Sequence, residues 1–65
     1  MIPVKIVNTD AVFYSKVPKL PAKDDLIRAY FNGELWYAKI EDMTYEFNED
    51  GEFLWVVILV YSIIT

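Results

Sequence analysis

The stretch LWYAKIEDMTYEF, Leu35 to Phe47, decides how this chain folds. Its first half sets Trp36, Ala38 and Ile40 on one face, the alternation of a half-buried strand. Its second half groups Met43, Tyr45 and Phe47, with Asp42, Thr44 and Glu46 opposite them. The apolar residues therefore switch from even to odd positions across Glu41-Asp42. One extra residue in a strand produces such a switch, so a β-bulge is predicted there. Corners of this kind let a small sheet curl toward a barrel.

The flanking segments extend the pattern. Leu26 to Phe31 leads into Asn32-Gly33, a strong two-residue hairpin signal. The same segment has helix features: Pro21 before it, Asp24 and Asp25 early, and Asn32-Gly33 as a stop. The strand reading is preferred, because Leu35 to Ile40 needs a partner immediately before the turn. Ile2, Val4 and Ile6 alternate with Pro3 and Lys5, and after the turn residues Asn8-Thr9-Asp10 a returning strand runs from Ala11 to Val17. Pro18 to Asp25 is the longest non-periodic stretch and reads as a loop. Asn48 to Glu52 makes a turn, with Gly51 free to take positive φ.

The chain ends in FLWVVILVYSIIT, Phe53 to Thr65, which carries no charge. Its apolar part, about 12 positions, falls short of the roughly 18–20 that a spanning helix needs. Val56, Val57, Ile58, Val60, Ile63 and Ile64 favour a strand instead. Both faces of that strand are apolar, so both are expected to be covered. At about 3.3 Å per residue it would reach about 40 Å, against a diameter near 28 Å for a compact domain of this size. A second copy of the chain would supply the missing cover. The odd positions Trp55, Val57, Leu59, Tyr61 and Ile63 are the expected oligomer interface.

The totals fit that reading. Sixty-five residues make one domain, residues 1–65, whose core is small. Such chains often lean on disulfides, metals or oligomerisation. With no Cys and no His, disulfides and the thiolate and imidazole ligands of structural zinc drop out. No cofactor is expected. The net charge of −4 argues against direct nucleic-acid binding on a basic surface. Met1 to Val7 lacks the positive leader of a secretory signal, and no membrane association is expected.

The spacing Pro21-x-x-x-Asp25-x-Ile27, followed by Gly33-x-x-Trp36-x-Ala38-x-Ile40, resembles a pattern in small β-barrel proteins of bacteriophages and other mobile elements. Many of these resemble the SH3-like barrel. The match covers about 20 positions and is a turn pattern, so it implies a fold and no activity. It departs from the usual form in having Asp24 where Gly often precedes the acid. The resemblance implies an all-β, SH3-like barrel of about five antiparallel strands. A phage-type protein is the expectation, and the absence of Cys fits the cytoplasm, that of a host cell if the chain is phage-encoded.

Catalysis has little to stand on. Ser15, Ser62 and the threonines are the available hydroxyls, and nothing places them beside a base. Asp24-Asp25, Glu41-Asp42 and Glu49-Asp50 are adjacent pairs that would point to opposite faces of a strand, and loop solvation accounts for them. No enzyme is expected. Two binding surfaces remain. Glu41, Asp42, Glu46, Glu49, Asp50 and Glu52 form an acidic run without a cation, which either keeps an apolar strand soluble or meets a partner as a nucleic-acid mimic would. Tyr30, Trp36, Tyr37 and Tyr45 with Arg28 and Lys39 would either pack in the core or line a pocket for a small anionic, nucleotide-like ligand between subunits. The sequence thus points to a non-enzymatic binding protein: an inhibitor or accessory that acts as a homo-oligomer by occluding a host protein. A ligand sponge or an acidic mimic is the alternative.

Overall fold

The computed structural model describes residues 1–9, 11–31 and 33–62. Five strands follow one another: β1 (Ile2–Val7), β2 (Val12–Val17), β3 (Leu26–Phe31), β4 (Glu34–Phe47) and β5 (Phe53–Ser62). No helix occurs among the described residues. The segment with mixed signals, Leu26 to Phe31, is a strand, paired antiparallel with β4 from Leu26↔Lys39 to Phe31↔Glu34. Three residues of the expected turns and interface, Asp10, Asn32 and Ile63, lie outside the described residues, as does Ile64.

The strands form one sheet in the order β2-β1-β5-β4-β3, curled into a half-barrel. The all-β expectation holds, but the expectation that every neighbour is antiparallel does not. β1 and β5 pair in parallel, in the register Val4↔Val56 to Val7↔Leu59. The cause is topological. Each strand reverses the one before it, so the first and fifth run the same way. Placing them side by side makes that one pair parallel. β5 thereby becomes the central strand, bonded to β1 on one side and β4 on the other.

The bulge is where the parity switch put it. β4 and β5 pair Ile40↔Val60 and then Asp42↔Leu59, leaving Glu41 as the extra residue. The switch keeps Ile40 and Met43 both on the inner face, Met43 lying opposite the buried Ile58. The core is Val4 and Ile6 from β1, Ala38 and Ile40 from β4, and Val56, Ile58 and Val60 from β5. All seven occupy even positions. Phe13, Val17, Leu20, Ile27 and Met43 pack around them. The described core contains no polar or charged residue, so its stability rests on apolar burial and packing.

Pro18 to Asp25 carries the chain from one sheet edge to the other, and Leu20 packs on the core along the way. The loop ends in a tight turn. Asp25 Oδ2 accepts the Ala22 amide at 2.8 Å, and the Asp25 amide donates to the Ala22 carbonyl at 3.1 Å. Asp24 and Asp25 then bond to both backbone groups of Ile40, just before the bulge. Asp24 takes φ = 72°, the left-handed region that glycine enters without cost. The sequence departure from Gly at this position thus falls where the backbone favours glycine. The second turn is built by Asn48, whose Oδ1 accepts the amides of Asp50 (2.9 Å) and Glu52 (3.0 Å), while Gly51 sits at φ = 80°.

The long axis is 40 Å against 23 Å for the other two. β4 and β5 run together past the end of β3, which pairs only as far as Lys39. The far hairpin therefore projects beyond the rest of the sheet. Two stability measurements follow. Replacing the fully buried Ile40 by Ala should cost about 2–5 kcal/mol in urea unfolding. Asp24→Gly should gain about 0.5–1 kcal/mol and Asp24→Val should lose stability, because a β-branched residue resists positive φ.

Candidate functional site: the outer face of the sheet

Strand alternation gives each residue of the sheet to one of two faces. Since the core uses the even positions of β5, its odd positions form an outer row: Trp55, Val57, Leu59 and Tyr61. Trp55 and Val57 are half-buried, whereas Leu59 and Tyr61 are 36% and 44% exposed. These are the described members of the expected interface. The pairing registers set Pro3, Lys5 and Val7 of β1 and Val12, Tyr14 and Lys16 of β2 on this same face. On the other side it includes Leu35, Tyr37 and Lys39 of β4 and Leu26, Arg28 and Tyr30 of β3. Val12, Tyr14, Leu26, Tyr30 and Leu35 are exposed there. The face mixes apolar side chains and rings with cations, and beyond the bulge β4 sets Asp42, Thr44 and Glu46 on it, directly opposite Leu59, Val57 and Trp55.

One part of it is already organised. The Trp55 indole N–H donates to Glu46 Oε1. The Lys5 ammonium lies 4.0 Å from that same oxygen and 5.6 Å from the Trp55 ring centroid. Tyr14 tilts against Trp55 with centroids 5.0 Å apart. Four strands thus each contribute one side chain to a cluster that holds the indole in place. Sequence reading missed Lys5 and Tyr14. Their alternation marked them as outward, but only the sheet order shows that β1 and β2 lie beside the start of β5.

The expected ligand pocket divides. Arg28, Tyr30, Tyr37 and Lys39 share the outer face, with Arg28 directly opposite Tyr37. Trp36 does not join them. It is next to Tyr37 in a strand, so it points to the inner face. There it lines a small apolar cavity of about 40 Å³ with Ile6, Ala11, Phe13 and Ile27. Lys39 Nζ lies 3.9 Å from Asp24 Oδ1, which ties this cation to the crossover loop.

The acidic run divides as well. Glu41 and Asp42 stand exposed at the bulge, and Asp42 Oδ1 accepts the Met43 amide at 2.8 Å. Glu49, Asp50 and Glu52 surround the turn, about 17 Å further along the strand. Glu46, between the two groups, is engaged with Trp55 and Lys5. No group of three or more His, Cys, Asp or Glu side chains is placed to hold a metal among the described residues. No helix among them is long and apolar enough to cross a membrane.

A second exposed patch escaped sequence reading. Tyr45, Phe47 and Phe53 cluster on the projecting hairpin, with centroid distances of 6.3 Å (Tyr45–Phe53) and 5.8 Å (Phe47–Phe53). They are 68%, 52% and 44% exposed. A second register shift, between Glu46 and Phe47, pairs Phe53 with Phe47 and brings the rings together. Periodicity places Tyr45 and Phe47 on the core side, but it does not show that the core ends before them.

Comparisons with family models, with curated proteins and with solved structures found no match for this chain.

If the Trp55 cluster holds the outer face in shape, Glu46→Ala should lower unfolding free energy by about 1 kcal/mol. Glu49→Ala, at an exposed turn position, should change it by less than about 0.5 kcal/mol. Urea denaturation followed by tryptophan fluorescence compares the two.

Proposed function

We propose that this chain is a non-enzymatic binding protein that works as a homo-oligomer, assembled through the outer face of its sheet around β5. One observation carries the reading. The central strand presents Trp55, Val57, Leu59 and Tyr61 on a face over which the described chain places no second layer. Contiguous apolar surface of this kind marks an interaction site more often than an idle one. Two sheets stacked about 10 Å apart would bury both rows in the manner of a β-sandwich. A chain of 65 residues, without cysteine, has much to gain from that burial.

In its fuller form, which goes beyond what the fold resemblance carries, the SH3-like oligomer acts as a phage-type inhibitor or accessory and occludes a host protein. A second reading draws on Arg28 and Lys39 lying among Tyr30, Tyr37 and Leu35 on the outer face. Cations beside rings suit a small anionic, nucleotide-like ligand held between subunits. The nucleic-acid mimic has less support, because its carboxylates fall into separate groups and Glu46 is engaged within the chain.

Light scattering at micromolar concentration tests the assembly. The wild-type chain should measure as a dimer or larger, and Leu59→Asp as a folded monomer with unchanged strand circular dichroism. A wild-type monomer throughout that range would refute the oligomer. Thermal-shift screening against nucleotides tests the second reading, since a ligand at 100 times its Kd adds about 2.7 kcal/mol to apparent stability. Arg28→Ala should abolish any such shift.

A further inference from the structure

β4 has a partner on only part of its outer side. β3 pairs with it as far as Lys39, and the crossover loop bonds to Ile40 through Asp24 and Asp25. From Asp42 to Phe47 the strand is bonded to β5 alone among the described strands. Its outward backbone groups can be identified. Ile40 turns both its amide and its carbonyl away from β5. Beyond the one-residue bulge, antiparallel alternation repeats that orientation at Met43 and Tyr45. The Met43 amide is bonded to the carboxylate of Asp42, its own neighbour.

We propose that this edge, Asp42 to Phe47, is the docking site for an extended segment of a partner protein in which lysine or arginine alternates with apolar residues. The segment adds to the sheet as a sixth strand. Main-chain bonds at Tyr45 and at the Met43 carbonyl provide the pairing, as in other cases of strand addition, and the Met43 amide joins by exchanging the Asp42 carboxylate for the partner strand. The apolar residues of the segment lie over the exposed rings of Tyr45 and Phe47, with Phe53 beside them. Its cations lie beside Asp42 and approach Glu49, Asp50 and Glu52 at the turn, while Glu46 stays with Trp55 and Lys5. The sequence from Glu41 to Glu52 holds no cation, and the ion pair with Lys5 involves only Glu46 of this group, so Asp42 and the turn carboxylates favour a basic partner. The Asn48 bonds hold the adjoining turn in one shape, which reduces the ordering cost of docking.

The same charges disfavour a second copy of the chain as the occupant. Pairing this edge with itself would bring the Asp42 and Glu46 carboxylates of two copies close together, a repulsive arrangement in a ladder. The inference rests on reading the chain as a binding protein, but not on how its copies assemble.

The wild-type protein can be titrated with a short synthetic peptide that alternates lysine and valine, followed by amide NMR and calorimetry. Saturable binding is expected, with shifts and slowed hydrogen exchange at Met43 and Tyr45. Methylating alternate peptide amides, or scrambling the sequence at constant charge, should weaken binding by about tenfold or more. Asp42→Lys should weaken it similarly, and Leu59→Asn, which adds no charge opposite Asp42, should bind as the wild type does. Equal binding of the scrambled or methylated peptide would reduce the effect to charge attraction and overturn the proposal. So would unmoved signals from Asp42 to Phe47, or exchange protection that grows with protein concentration when no peptide is present.

Discussion

β5 lies in the middle of the sheet, bonded to β4 on one side and, from Val56 to Leu59, to β1 on the other. Its two rows of side chains meet different surroundings. The even row, Val56, Ile58 and Val60, is buried against residues of β1 and β4 and the crossover. The odd row faces away from everything that packs there. A sheet of five strands has enough chain to curl over one face only. The position of the core, the exposure of Leu59 and Tyr61, and the proposed assembly all follow from that limit.

A half-barrel also leaves edges, and the sequence treats them unequally. β2 and β3 end the sheet with Lys16 and Arg28 among their outer residues, charges of the kind that discourage uncontrolled pairing. β4 is an edge only beyond the bulge. There the aromatic rings are exposed and the charges are all negative. Such an edge rejects itself yet remains open to a basic strand. Selectivity of this sort combines an attraction toward one partner with a repulsion toward others.

Much of the architecture was legible because strand alternation writes burial directly into sequence. The parity switch at Glu41-Asp42 located the bulge, and Gly33 and Gly51 marked turns that do take positive φ. The apolar odd positions of β5 were likewise readable as a row of their own. Less visible was the grouping of residues from different strands. Residue type groups Trp36 and Tyr37 in one pocket, as rings beside cations, although neighbours in a strand point apart. Lys5, Tyr14, Glu46 and Trp55 come from four strands and meet only through the sheet order.

Local rules therefore determined the all-β class, the bulge, the turns and which residues of each strand share a face. They act between near neighbours, through backbone sterics and the two-residue period of the pleat. Strand order was decided elsewhere. Whether β1 meets β5 depends on how the inner apolar rows bury together, a sum over residues more than fifty positions apart in the chain. That contact made one pair parallel, set β5 at the centre, and let β4 outrun β3. The exposed outer row and the open acidic edge exist only because of it.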